Sequence, residues 1–327
     1  MNHRIGFSGY AVKFSPFRPN IVAIASSQYF GIAGNGRVSL VDTQRDCAHL
    51  CEFQTRDGCF DAAFSEKSDN IIAAACGDGI VRIFDSARPG DRPVSALAGH
   101  TAETYSVDWN GQLRDLICSA SWDRSVRVWD TLTGKCTGTY SHSGIAYEAT
   151  WNPRHGKLLA SVGGDGQLLV YDLSSPGRPV QSVQAHQGEI LCLDWNKYRD
   201  GVVATGSVDK QIKVWDLRNT ALPIHAFTGH QLAVRRVKWS PHSDALLLSC
   251  AYDMSVKLWS TNSLSPIDTF EHHSEFVIGI DFSIFERDLV ASTGWDRQVA
   301  LWTLGAGRPG QAGRPPAPQR VIRQAAA

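Results

Sequence analysis

Five times along the chain a histidine, a hydroxyl residue and an aspartate recur at fixed offsets: His100, Ser119 and Asp123; His142, Ser161 and Asp165; His186, Thr205 and Asp209; His230, Ser249 and Asp253; His273, Ser292 and Asp296. By composition this is hydrolytic chemistry, in which the aspartate orients the imidazole and the imidazole takes the proton of an attacking hydroxyl. A nucleophile serves one site, however, and here the same spacing returns five times. In every set the Asp follows the His by 23 residues, the hydroxyl precedes the Asp by four, and an aromatic residue follows the His by 29: Trp129, Tyr171, Trp215, Trp259 and Trp302. Repetition of that kind points to architecture, so catalysis is not expected and the chain is read as a non-enzyme.

The elements around these residues repeat over nearly the whole length. The segments are GNGRVSLVD (34–42), GDGIVRIFD (77–85), WDRSVRVWD (122–130), GDGQLLVYD (164–172), VDKQIKVWD (208–216), YDMSVKLWS (252–260) and WDRQVALWT (295–303). Their turn residues, Asn35, Asp78, Asp123, Asp165, Asp209, Asp253 and Asp296, are spaced by 43, 45, 42, 44, 44 and 43 residues. Within one unit YSVDW (105–109), LICSAS (116–121), VRVWD (126–130) and KCTGTY (135–140) are short β-branched or aromatic runs bounded by turn residues, which predicts four strands. Seven such units predict an all-β, seven-bladed β-propeller.

The period and the His…Trp-Asp signature resemble the WD-repeat family over residues 10 to 304. In that family the His, Asp, Ser/Thr and Trp of a blade form a hydrogen-bonded chain. The physics agrees, because a buried indole N–H or carboxylate is costly unless paired, and a hydroxyl can bridge Trp to His. Structural sets are therefore expected at His100/Ser119/Asp123/Trp129, His186/Thr205/Asp209/Trp215, His230/Ser249/Asp253/Trp259 and His273/Ser292/Asp296/Trp302. The fourth unit has Tyr171 in place of Trp, and the second keeps only Asp78, with Thr55, Ala74 and Phe84 at the other positions. Residues 1–304 are read as the propeller and the Gly/Pro-rich 305–327 as a disordered tail. Blade seven then lacks an outer strand, which HRIGFS (3–8) is expected to supply; RVIR (320–323) is the alternative.

The bulk composition narrows the function. Thirty-two basic residues balance thirty-two acidic ones, which gives no general field for nucleic acid or anionic lipid. No apolar run is long enough to span a membrane, and no secretory leader is expected at the N-terminus. The eight cysteines, 47, 51, 59, 76, 118, 136, 192 and 250, include no CxxC and mostly lie in apolar runs, so they are read as reduced core residues of a cytosolic protein. No phosphate-binding, zinc-protease, serine-hydrolase or EF-hand pattern occurs. Glu271-His272-His273 has metal-ligand residue types, but His273 belongs to the repeat register; neither metal nor cofactor is expected.

Function should then lie on the rim of loops at the end bearing the His and Asp turns, here termed the top. Asp57, Phe60, Glu103, Tyr105, Trp122, Tyr147, Glu189, Tyr252 and Trp295 are expected there as a peptide-binding floor of aromatics with acids at its side. The phrases YFGIAGNG (29–36), ETYSVDW (103–109), AHQGEILCLDWNKY (185–198), GHQLAVRRVKWSP (229–241) and EHHSEFVIGIDFS (271–283) resemble the family of receptors for the type-2 peroxisomal targeting signal, the peroxin-7 family. That resemblance implies a cytosolic receptor cycling to the peroxisome. It implies partners in cargo bearing an N-terminal helical signal, roughly Arg-(Leu/Val/Ile)-x5-(His/Gln)-(Leu/Ala), a co-receptor, and the peroxisomal docking complex. The chain is expected to be a monomer before it joins them. A competing function comes from Trp215-Asp216-Leu217-Arg218, which resembles the WDxR box of substrate receptors in cullin–RING ubiquitin ligases.

Overall fold

Each unit folds as its four apolar runs suggest. In the third, Thr104–Trp109, Leu116–Ser121, Ser125–Asp130 and Lys135–Ser141 pair antiparallel in chain order. The structure, a computed structural model, describes residues 2–45, 48–88, 90, 92–175, 177–263 and 265–305. Seven four-stranded sheets make up these residues, a seven-bladed β-propeller without an α-helix among them. No helix among the described residues is long and apolar enough to cross a membrane.

The ring is closed by the N-terminus. Asn2–Arg4 forms the outer strand of blade seven, in register Asn2↔Ala300, His3↔Val299 and Arg4↔Gln298. This strand is shorter than the 3–8 stretch predicted for it. Ser8 already begins the innermost strand of blade one, so the chain must cross from the rim to the axis within Ile5–Phe7. Ile5 is buried on that crossing, against Val12, Val299 and Leu301. The alternative closure, RVIR at 320–323, and the tail from 306 onward lie outside the described residues.

The core is divided among seven blade interfaces, one apolar cluster between each pair of neighbours. Each blade buries both faces, which is why the second and third strands read as continuous apolar runs such as Ile71–Cys76. Along the axis the polar residues of the inner strands act as staples. Asp108 accepts the Trp151 N–H (2.8 Å), Asp194 that of Trp239 (2.7 Å) and Asp281 that of Phe14 (2.8 Å), each across to the next blade. Glu148 accepts the Leu193 N–H (3.0 Å) in the same way. At mid-height Arg236 reaches Glu148 at 2.9 Å and Asp61 at 3.6 Å, and Lys13 stands 3.7 Å from Asp61. This buried ion cluster joins blades one, two, four and six and plugs the channel.

Candidate functional site

The repeated histidines sit on the loops between blades, and the repeated aspartates open the turns after each second strand. One aspartate oxygen closes its own turn: Oδ1 of Asp123, Asp209, Asp253 and Asp296 accepts the N–H two residues on, at 2.9–3.1 Å. That leaves the second oxygen for the imidazole. In blade three the Trp129 indole donates to Ser119 Oγ (2.8 Å), the hydroxyl to His100 Nε2 (2.8 Å), and His100 Nδ1–H to Asp123 Oδ2 (2.8 Å). The direction of the chain requires a neutral imidazole, and burial of His100 lowers its pKa against the opposing pull of Asp123. Blade six is the same, with Trp259, Ser249, His230 and Asp253 linked at 2.7–2.8 Å. In blade five Trp215 donates to Thr205 at a longer 3.2 Å, while His186 binds Thr205 (2.9 Å) and Asp209 (2.8 Å). Ser119, Thr205, Ser249 and Ser292 are wholly buried, so none is presented to a substrate as a nucleophile must be.

Blade seven departs from the predicted set. His273 bonds Ser292 (2.6 Å) and Asp296 (2.9 Å), but Trp302 makes no indole hydrogen bond among the described residues and is only half-buried. The residue before the histidine explains the difference. Blades three and six have glycine there, and a Cβ added at Gly99 or Gly229 would lie 3.0–3.1 Å from the Trp129 or Trp259 ring. Blade five has Ala185 and the longer bond; blade seven has His272, whose ring lies edge-on to Trp302 at 5.0 Å. In blade four, with Ser141 at this place, Tyr171 donates to the Ser141 carbonyl (3.3 Å) and His142 stands 3.5 Å from Asp165.

The top is shaped by a feature that sequence reasoning missed. Every inner strand carries a β-bulge at the same height, and the residues it pushes out are Tyr10, Phe60, Tyr105, Tyr147, Leu191, Arg235 and Ile278. A bulge re-aims its side chain, and seven in a ring aim seven side chains at the axis. The aromatic ones touch in series. Tyr147 lies 6.1 Å from Tyr105, Tyr105 5.0 Å from Phe60, Phe60 5.0 Å from Tyr10, and Tyr10 6.2 Å from Trp295. The series runs on from Trp295 to Phe276 at 5.2 Å and to Tyr252 at 4.9 Å. Trp122 stacks on Tyr105 at 5.7 Å. This arc covers blades four, three, two, one, seven and six, and opens at blade five.

Of the nine residues expected on this face, Tyr105, Trp122, Tyr147, Tyr252 and Trp295 lie in the arc. Phe60 is also in it but buried, sealed beneath Tyr10 and Gly31. Glu189 is exposed in the gap and accepts the Tyr147 hydroxyl at 2.8 Å; Glu103 is half-exposed beside Trp122, whose N–H its carbonyl accepts at 3.0 Å. Asp57 is turned to its own loop, accepting the Gly58 N–H (2.7 Å). Tyr10 and Phe30 were not anticipated. The 29–36 insertion supplies Phe30, 5.2 Å from Trp295, and its carbonyl accepts the Tyr10 hydroxyl at 2.6 Å. An aromatic residue two or three places into the inner strands of blades one to four was the signal available for Tyr10. Arg218, from the WDxR box, is folded onto Asp216 in a two-pronged ion pair at 2.9 and 2.6 Å.

Comparison with known proteins agrees with this geometry. The WD domain, G-beta repeat model matches residues 91–130, 177–216, 221–260 and 264–303, the four blades for which complete sets were expected. The chain belongs to the WD40-repeat proteins. It is homologous to peroxisomal targeting signal 2 receptors. The receptor of Dictyostelium discoideum is 44% identical over 126 residues, 38% of this chain and 40% of that protein. The human receptor is 38% identical over 161 residues, 48% of this WD40 chain and 49% of the relative. Peroxisome biogenesis protein 7 of Arabidopsis thaliana is 42% identical over 127 residues, 38% and 40% of the two chains. The chain thus spans about half the length, or less, of these curated relatives.

Proposed function

We propose that this WD40 protein is a cytosolic receptor that binds the type-2 peroxisomal targeting signal of folded cargo and, with a co-receptor, delivers it to the peroxisomal docking machinery. The observation that carries the reading is the aromatic arc at the top with Glu103 and Glu189 beside it. A signal helix places its aliphatic residues about one turn apart on one face, and its Arg and His supply positive charge. Two or three aliphatic side chains buried on the arc contribute about 1.5–3 kcal/mol each. Exposed ion pairs to the two glutamates add only about 0.2–1 kcal/mol each, so they set orientation and disfavour acidic helices more than they add affinity. Micromolar binding requires about 8 kcal/mol after ordering costs, which one flat face meets marginally. A co-receptor closing over the far side of the helix supplies the remainder.

The test is fluorescence anisotropy of a labelled signal peptide with the purified protein, alone and with co-receptor, against a control peptide whose Arg is changed to Glu. Weak binding that tightens with co-receptor and disappears in the control is expected. No binding in either condition would overturn the reading. Arg218 is engaged with Asp216, and no observation favours the ligase reading over this one.

A further inference from the structure

The lower mouth of the axial channel holds a cavity of 310 Å³. Seven equivalent positions line it, the next-to-last residue of each inner strand: Lys13, Ala63, Asp108, Thr150, Asp194, Lys238 and Asp281 in blades one to seven. The cations on this wall are spoken for. Lys13 stands 3.7 Å from Asp61, and Lys238 and Lys197 stand 3.3 and 3.7 Å from Asp194. The acids are not all matched. Asp108 and Asp281 each give one oxygen to a backbone N–H, and neither forms an ion pair among the described residues. In the ring Asp281 lies between Lys238 and Lys13, whereas Asp108 lies between Ala63 and Thr150, neither of which carries a charge.

Space and unmet polar groups coincide beside Asp108. Ala63 presents only a methyl group where every other blade has a longer side chain. Glu66, from the loop below blade two, lines the same side and forms no ion pair among the described residues. Its carboxyl carbon lies 4.0 Å from where a Cβ on Gly111 of blade three would stand. Thr150 is 7% exposed, and its hydroxyl makes no hydrogen bond among the described residues. The N–H that Asp108 accepts belongs to Trp151, the next residue, so the carboxylate and the orphan hydroxyl are neighbours on the wall. Trp109, Trp151 and Trp195 line the cavity with their indole N–H groups already donated to the carbonyls of Arg114, Asp108 and Thr150. They offer π-rich wall and no donor. A buried hydroxyl without a partner and a carboxylate without a cation are both costly. Both accept from N–H groups, aromatic walls attract a cation, and the volume is that of a small-molecule site.

We propose that the side of the lower mouth formed by blades two to four binds a small organic cation, a primary ammonium or guanidinium on an apolar body, between Asp108 and Thr150. The site is at the opposite end of the channel from the aromatic arc and does not depend on the import reading. The test titrates the full chain by calorimetry at neutral pH with 2-phenylethylammonium, neutral 2-phenylethanol, and the N,N,N-trimethyl ammonium, which has the charge without N–H. The primary ammonium is expected to bind at least ~10-fold more tightly than the alcohol, as a charge-assisted hydrogen bond provides, and Asp108→Asn should erase that preference. It should also exceed the trimethyl compound by ~3-fold, a margin that Thr150→Val narrows. Equal binding of ammonium and alcohol, or a preference that survives Asp108→Asn, overturns the proposal. Trimethyl binding as tight as the primary ammonium overturns the N–H assignment. If thermal melts show that Asp108→Asn does not fold, Glu66→Gln and Thr150→Val together carry the test. The ammonium-over-alcohol ratio should fall at least ~3-fold in that double variant, and an unchanged ratio counts against the site.

Discussion

The two mouths of the axial channel are built from the same seven strands and treat polar groups in opposite ways. At the lower mouth, a cavity of 310 Å³, the charged side chains are committed to the fold. Asp108, Asp194 and Asp281 each hold a backbone N–H of the next blade, and Lys238 lies 3.3 Å from Asp194. At the upper mouth Glu103 and Glu189 face solvent at the rim and Arg235 lacks a counter-ion. Closing a ring of blades requires staples between inner strands, and the lower half supplies them. The upper half is thereby free of that duty and can present aromatic and charged groups to a partner.

The largest effect that bears on this contrast should come from the lower mouth. Asp194→Ala removes the acceptor of the Trp239 N–H and leaves the half-buried Lys238 without its partner at 3.3 Å. The expected loss is about 3–5 kcal/mol, read from urea unfolding. A loss below ~1 kcal/mol would mean that the lower acids are not structural and the contrast fails.

The hydrogen-bonded chains inside the blades give a second measure of what a committed polar group is worth. Ser249→Ala orphans both the Trp259 indole and His230, at about 1–3 kcal/mol for each group. Ser292→Ala in blade seven orphans only His273, because Trp302 is not bonded to Ser292, so its loss should be about half as large. Equal losses in the two variants would show that the missing Trp302 bond has no energetic meaning.

Asp108 refines the picture of the lower mouth through pH. Burial pushes its pKa up to about 6, against the Trp151 N–H and the charges of Lys238 and Lys13, with Asp61 adding to the rise. The folded value lies above that of an unfolded carboxyl, so this group's contribution is fully present below about pH 4 and is lost as pH rises through about 6. Asp108→Asn keeps an acceptor for Trp151 and removes the titration. Relative to wild type, its stability should therefore rise between pH 4 and 6 by at most about 1.4 kcal/mol per pH unit, measured by denaturant unfolding across that range. A pH-independent difference would place a charged, unstrained Asp108 at the mouth.

The blade count, the strand runs and the His–Ser–Asp–Trp sets were legible because each is a repeated local pattern with a fixed spacing. The exception in blade seven was also written there, as His272 where blades three and six have glycine, but its meaning needs the ring positions. The bulges were not legible: the register places Tyr105 at the top, but the slip in pairing beside it, and the same slip beside Arg235, is seen only in the folded sheets. The axial staples had a faint signal, a charged residue before a terminal aromatic, in Asp108-Trp109, Asp194-Trp195 and Asp281-Phe282. Which backbone amide each carboxylate would meet depends on the stagger between blades, and no single unit encodes that. Phe60 was placed on the surface by register alone, and packing with Tyr10 and the neighbouring insertion buries it.

The smallest expected effect on stability is at the upper mouth. The Glu103 carbonyl holds the Trp122 N–H, a bond that any residue at 103 can make, and the half-exposed carboxylate makes no ion pair among those described. Glu103→Arg should therefore change the unfolding free energy by less than about 0.5 kcal/mol. Its effect on a basic signal peptide should be far larger, because a like charge then stands where the peptide's cation approaches. Unfolding and anisotropy on the same preparation separate the two. Unchanged stability with lost binding marks Glu103 as a residue of the binding face. Loss of folded monomer would instead place it with the staples below, and the division between the two mouths would have to be redrawn.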